Sequence, residues 1–358
     1  MSPVALAAPS FADLRDDLGH RRIGGGLEKL ARLRVEIEQI SPDHPQSGVF
    51  LGILAQWVDA GFDSPELLVD VLNRFPHGTR SDLPVRVFVH LRMTECEIEM
   101  AHENYQRAIS HLEMVRSFED ELSDPWLILV ADFWMSRCLR NLGRYEEALP
   151  FALRAEESAI TLDYSETAAM IQVTRAWLLF QKGRLEEAST ILRRAENALR
   201  GSGDHMTLGN IQSARGRIAR RQDRLEYAVE CFENAIHEYR KGPSRGLQMA
   251  RALQNLAFAK RSRAQQAQRQ LDLVAASRRS GKEVSGELAK TRDSIQQIRS
   301  EAADHLDEST AIYERWDKRH GIAGCQIVRG FLKLDDGDFD GALADAETAF
   351  QHGQEKND

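Results

Sequence analysis

The sequence predicts an all-α fold: a right-handed α-solenoid of stacked helix–turn–helix units, carrying one inserted antiparallel coiled-coil hairpin. Two observations predict it. Three segments repeat one pattern at intervals of 40 residues: Gly143-Arg-Tyr-Glu-Glu-Ala148, Gly183-Arg-Leu-Glu-Glu-Ala188 and Asp223-Arg-Leu-Glu-Tyr-Ala228. A period between about 20 and 50 residues marks a stack of like units rather than one closed core. The second observation is where the period fails: between Ala257 and Ala302, 33 residues are added inside a single unit.

The elements follow in order. Residues 11–40 read as one or two amphipathic helices broken at Gly24-Gly25-Gly26, which places an N-terminal helical cap at 1–46. A terminal cap supplies the polar outer face that a stack needs. The superhelix is expected over 47–358. Residues 47–76 read as a degenerate first unit, with Leu68, Leu72 and Phe75 on the stripe of its second helix.

Regular units open at Glu103, Gly143, Gly183 and Asp223. Each opening is followed by small or apolar residues at steps of four and three: Ala108, Leu112, Val115; Ala148, Ala152, Ala155; Ala188, Leu192, Ala195; Ala228, Phe232, Ala235. Those steps keep a set on one face of a helix, here called helix B. Seven residues before each opening stands a small residue, Cys96, Ser136, Ala176 or Gly216, which lets helix A approach its helix B closely. The opening itself is the turn, where glycine adopts a left-handed backbone at least cost. Pro150 falls inside a helix B and predicts a local kink or unwinding.

In the interrupted unit, Ala257 takes the small position of helix A, and Ala302, Leu306 and Ser309 take the helix B stripe. Between them Ala264, Ala267, Leu271 and Val274 step three, four, three. Val284, Leu288, Thr291, Ile295, Ile298 and Ala302 step four, three, four, three, four. These are heptad seams. Ser280, Gly281, Ser285 and Gly286 mark the reversal between them. A basic helical hairpin is therefore expected at about 262–300. About 16 extra residues per arm, rising about 1.5 Å each, project about 24 Å.

The pattern resembles the tetratricopeptide repeat. Asn141-Leu-Gly143-Arg-Tyr145-Glu-Glu-Ala148-Leu matches it closely. Asp336-Gly337-Asp-Phe339-Asp-Gly-Ala342 is a further match, continued by Ala346 and Ala349 and preceded by Gly330. The resemblance covers residues 83–352, with a period of 40 in place of about 34. Longer forms occur in kinesin light chains, bacterial peptide-pheromone receptors and sensor regions of bacterial regulators. The resemblance implies binding of peptides or partner proteins. The Lys and Asn set that clamps C-terminal carboxylates in some members is missing, so chaperone-tail binding is not implied.

In such a fold, helix A lines the groove. Residues one, four and five after the small residue, and three before it, lie about 40–140° around the helix from it. Around Ser136 these are Phe133, Arg137, Arg140 and Asn141. Around Ala176 they include Val173, Trp177 and Phe180. After Gly216 they are Arg217, Arg220 and Arg221, and around Ala257 they include Phe258 and Arg261. Arginine forks pair with carboxylates, and aromatic side chains anchor interfaces. These residues are the candidate partner-binding groove for an acidic peptide with one or two apolar anchors. The competing expectation is that Trp177 and Phe180 pack between repeats and the arginines pair with neighbouring acids.

Composition narrows the rest. The chain of 358 residues has a net charge of −8, against generic nucleic-acid binding. From Lys260 to Ser300, however, ten Lys and Arg face four Asp and Glu, a local +6 that leaves −14 elsewhere. The finger cations Arg263, Arg269, Arg278, Arg279, Lys282, Lys290, Arg292 and Arg299 read either as a solvated face or as a docking arm for an acidic protein surface, a membrane face or nucleic acid. No apolar run reaches spanning length and no signal peptide is evident, so a cytoplasmic protein with no membrane span is expected. Cys96, Cys138, Cys231 and Cys325 stand singly and read as reduced core residues. No phosphate loop, catalytic motif or zinc spacing is present, so no enzyme, cofactor or metal is expected.

Two functions follow. One is a non-enzymatic scaffold or adaptor that binds a peptide or protein partner. The other, implied by the resemblance, is an N-terminal sensor region of a bacterial signalling protein whose output module (a diguanylate cyclase, kinase or transcription regulator) lies outside this chain. The stripe of the last unit, Ala342 to Ala349, has no capping helix after it, which suggests a homodimer or a continuing domain at that end.

Overall fold

The computed structural model describes residues 9–38, 46–75, 83–242, 246–277 and 282–354. Their regular structure consists of seventeen helices. The chain divides into two compact units, Met1–Thr207 and Leu208–Asp358.

The first unit opens with α1 (Pro9–Gly19), α2 (Ile23–Arg32), α3 (Arg34–Glu38), α4 (Ser47–Asp59) and α5 (Pro65–Leu72). Every residue of α4 from Ser47 to Val58 is buried, as expected of a helix that is apolar on all sides. The break between α1 and α2 does not fall at the three glycines. It falls at Arg21, which has a left-handed φ of 50°. Gly24, Gly25 and Gly26 lie in the first turns of α2. Close packing explains Gly26: a Cβ there would come within 1.9 Å of the Trp57 ring on α4. Three pairs follow: α6 (Val85–Ala101) with α7 (Tyr105–Arg116), α8 (Pro125–Asn141) with α9 (Tyr145–Thr161), and α10 (Ser165–Gln181) with α11 (Leu185–Leu199).

Helix α12 (His205–Arg221) pairs in sequence with α13 (Leu225–Lys241). Then come α14 (Leu247–Ser277) with α15 (Lys282–Arg315), and α16 (Arg319–Asp336) with α17 (Phe339–Gln354).

The turns are alike because the backbone repeats. Glu103, Gly143, Gly183, Asp223 and Gly337 all have positive φ, between 57° and 82°. After each, the next amide reaches back five residues to a helix A carbonyl: Asn104 to Glu99, Arg144 to Leu139, Arg184 to Leu179, Arg224 to Ala219 and Asp338 to Lys333, at 2.8–2.9 Å. This Schellman closure satisfies carbonyls that the helix end leaves open. The small positions behave as expected. Cys96, Ser136, Ala176 and Ala257 are buried, and a Cβ on Gly216 would meet the Phe232 ring at 2.7 Å.

Pro150 does not unwind α9, which runs unbroken from Tyr145 to Thr161. Near the first turns only one backbone hydrogen bond is forfeited. All four cysteines are free and buried. Burial pushes their thiols up, that of Cys138 to about 12.

Helices α14 and α15, of 31 and 34 residues, form the expected hairpin. Ala264, Leu271 and Ile295 are buried in its seam, with Ala267, Leu288 and Ile298 packed against them. Against the 17 residues of α8, the arms gain about 14 and 17 residues, or about 21 to 26 Å. Gly286 is not in the reversal but inside α15. Ser280 and Gly281 lie outside the described residues.

Candidate functional site

The repeat geometry distributes the predicted groove residues over the two units. In the first unit most are engaged within the chain. Arg137 on α8 grips Asp59 at the end of α4, with N–O distances of 2.5 and 2.6 Å, and the Trp134 indole donates to the same carboxylate at 3.1 Å. Burial would lower the Arg137 pKa, but the pair with Asp59 outweighs it and raises the guanidinium above its ordinary value. Glu97 is buried beside this pair. Burial and the Asp59 charge push its carboxyl well up. Arg137 is thus a structural cation and departs from the expectation that it faces a ligand. Phe133 is buried beneath it, 5.5 Å from its guanidinium carbon.

Trp177 is half-buried between Arg140, stacked at 5.4 Å, and Tyr145, edge-on at 5.4 Å. Val173 and Phe180 are half-buried and Asn141 is exposed. Trp177 therefore joins α8, α9 and α10, the inter-repeat packing that competed with the groove role.

The second unit is different. Arg217 and Arg220 on α12 are half-buried. Among the described residues, six arginines have displaced pKa values. Arg22, Arg137, Arg144 and Arg184 are raised, each by a carboxylate partner. Arg217 and Arg220 are lowered by burial. Arg217 makes no hydrogen bond or ion pair among the described residues. Its charged neighbours are two further cations, Arg251 and Arg220, which push it down, and the phenols of Tyr239 and Tyr313. Arg220 donates to the Asn255 side-chain oxygen at 3.0 Å and stacks 4.8 Å over Phe258. Burial pushes the Tyr313 phenol up to about 12 and raises Tyr239. Tyr239 donates to Asn210 at 2.8 Å. Among the described residues no carboxylate offsets the half-buried charge of Arg217 and Arg220.

Farther along, Arg261 is neutralised by Asp335 on α16, with an N–O distance of 2.7 Å, and its guanidinium lies 4.8 Å over Phe331. Gln265 also donates to Asp335, at 2.8 Å. Beyond them α16 exposes Ile327, Phe331 and Leu334, which are 49, 39 and 45% exposed. These three were missed by sequence reasoning. They stand three before, one after and four after Gly330, the same offsets used for the other units. Arg251 stands six before Ala257, about 120° around the helix, and the same angular rule reaches it when extended one turn.

The finger cations fall into three groups. Arg299 is paired with Asp336 at 2.7 Å. Arg263 is half-buried, and Arg269, Lys290 and Arg292 are exposed. Arg278 and Arg279, and the side chain of Lys282, lie outside the described residues. At the base Lys260 bridges Glu301 at 2.8 Å and Glu233 at 3.5 Å. Arg221 has interactions of its own and is not a free cation.

The last helix pair carries an open stacking face. Four residues after the small residue of helix B, Leu112, Ala152, Leu192, Phe232 and Leu306 are fully buried. The equivalent Ala346 is exposed, as are Phe339, Leu343 and Phe350 on the same stripe of α17. Among the described residues no helix is long and apolar enough to cross a membrane, and no group of three His, Cys, Asp or Glu side chains is placed to hold a metal ion.

No family model matches the sequence, and no curated protein matches it. Among solved structures the chain is similar to a Rap protein complexed with competence and sporulation factor. The identity is 10%, 97% of this chain and 98% of that one are covered, and the TM-score is 0.61. The protein has a tetratricopeptide-like repeat fold. The same repeat fold relates it to the apo form of the quorum sensor NprR from B. thuringiensis, at 12% identity over 96% of this chain and 97% of that one, with a TM-score of 0.56. A third similar structure is the Rap conjugation gene regulator of plasmid pLS20 in complex with the Phr* peptide, at 16% identity over 97% and 95%, with a TM-score of 0.53.

Proposed function

We propose that this repeat protein is a non-enzymatic interaction adaptor, and that it binds an acidic peptide segment on the helix A face of α12 and α14. Arg217 carries the proposal. It is a half-buried guanidinium with cations for neighbours and no carboxylate partner among the described residues. Leaving such a charge unpaired is costly unless an anion arrives. Two of the similar structures are complexes, one with competence and sporulation factor and one with the Phr* peptide. Those ligands belong to those proteins, and their relevance here is support for a ligand of the same class.

The test is selection from a library of random blocked dodecapeptides displayed on beads. Wild-type protein is expected to enrich Asp- and Glu-bearing sequences. The enrichment disappears when Arg217 and Arg220 are changed to Glu and survives when Arg269 and Arg292 are changed to Glu. Unchanged enrichment in the first variant refutes the assignment, and loss only in the second moves the function to the hairpin.

A second reading rests on the open face of α17. A helix-stacking surface that is covered in five earlier units and open in the last suits a regulatory region with an output module packed there. A coding sequence that continues into a catalytic or DNA-binding module favours it.

A further inference from the structure

The second unit presents three helix A faces in succession, and their chemistry changes sign along the way. Arg217 on α12, Phe258 on α14 and Phe331 on α16 occupy the same offset, one residue after Gly216, Ala257 and Gly330. Side-chain contacts connect the three helices. Arg220 reaches Asn255 and Phe258 on α14. On the other side Gln254 lies against Gly324 of α16, where a Cβ would meet its amide at 2.3 Å, and Arg261 lies over Phe331.

The first face carries Arg217, with no carboxylate partner among the described residues; its cationic neighbours are Arg220 on the same helix and Arg251 of α14. The middle face holds a half-buried phenylalanine and an arginine whose charge is already cancelled by Asp335. The third face offers Ile327, Phe331 and Leu334 to solvent. Lone exposed apolar residues need no explanation, but three on one helix face form a patch.

Resting on the adaptor reading above, we propose that the ligand is a bipartite peptide, with a side-chain carboxylate seated at Arg217 on α12 and an apolar side chain seated on Ile327, Phe331 and Leu334 of α16. The two seats are two helix steps apart. Packed helices lie about 8–10 Å apart, so the span is about 16–20 Å. An extended chain covers about 3.3 Å per residue, which separates the acidic and apolar residues by about five or six positions. The carboxylate matches the fork of a guanidinium bidentately. The apolar anchor gains affinity by covering Phe331, whose ring is already held in place by the stacked Arg261.

The test uses fluorescein-labelled peptides with acetylated and amidated ends, so that only side chains carry charge. One Glu and one Leu are placed in a Gly/Ser/Ala background at separations from one to eight residues. Binding to the full chain is read by anisotropy. Affinity is expected to peak at five or six. Replacing Glu by Gln lowers affinity about tenfold, the scale of one charge-assisted hydrogen-bonded pair, and the loss vanishes in Arg217→Gln. Replacing Leu by Ser lowers it about tenfold or more, and that loss vanishes in Phe331→Ser, which alters a surface side chain and is checked for folding by circular dichroism.

Dependence on Glu and Arg217 with no dependence on spacing or Phe331 overturns the bipartite ligand and leaves the adaptor reading standing. Binding that ignores Glu and Arg217 altogether overturns both. A phosphoserine peptide that binds while the Glu peptide does not overturns the carboxylate assignment.

Discussion

Lowering the pH should destabilise the first unit through one buried imidazole. His90 on α6 is 3% exposed, and neither ring nitrogen has a hydrogen-bond partner among the described residues. It packs against Gly52 of α4, where a Cβ would sit 2.4 Å from Nδ1. Burial pushes its pKa from 6.5 down to about 4, helped by Arg86 and Arg15 and opposed by Asp124. Because the folded value is depressed, the unfolded chain takes up the proton first. Stability is complete above pH 6.5 and falls as pH drops, until the folded imidazole also titrates near pH 4. At about 1.4 kcal/mol per pKa step the full loss is about 3 kcal/mol, of which about 2 is reached at pH 5.

The assay is urea unfolding followed by tryptophan fluorescence, which reports mainly on this unit. Trp57, Trp126 and Trp134 are buried there, whereas Trp316 of the second unit is 45% exposed. The reference is His90→Leu, which removes both unpaired nitrogens. Other groups titrate in the same range, Glu97 in the opposite sense, so the informative quantity is the difference between the two proteins. With an m-value of about 2 kcal/mol/M, the wild-type midpoint should fall about 1 M further than that of the variant between pH 7.5 and pH 5. Parallel pH profiles refute a neutral buried His90.

Four further outcomes follow from packing and charge. Gly216→Ala forces a methyl to 2.7 Å from the buried Phe232 ring; about 1–3 kcal/mol of overpacking outweighs about 1 kcal/mol of helix propensity, so the melting temperature drops. Gly286→Ala, exposed on α15 with nothing within 4 Å, should raise it in the same calorimetric scan. Asp59→Ala strands Arg137 and the Trp134 indole and should cost about 2–3 kcal/mol in urea, partly restored by adding Arg137→Met. Glu97→Gln should stabilise the protein at pH 8 more than at pH 5, because a carboxyl raised by burial contributes stability at low pH and loses it as pH rises.

Local recurrence made much of the fold legible. The positive φ at Glu103, Gly143, Gly183 and Asp223 falls where the 40-residue echo places it, because a turn needs only its own few residues. The hairpin was equally legible, since Ala264, Leu271 and Ile295 announce their seam by spacing alone. Features decided by distant partners were not. The glycines of α2 look like a break until Trp57, 31 positions on, is seen to require Gly26. Arg137 reads as a groove cation until Asp59, 78 positions away, is found paired with it. Arg217 and Arg137 share one register and one residue type, and only the three-dimensional neighbourhood separates the paired cation from the unpaired one.

That difference provides the most direct test of the central claim, that Arg217 awaits an anion. Arg217→Met keeps the stem and removes the charge. The scanning calorimetry of the peptide-free protein should show the second unit melting at a higher temperature in the variant, while affinity for the best Glu–Leu peptide falls about tenfold. A lower melting temperature, with peptide affinity unchanged, would show that the guanidinium serves the fold and not a ligand.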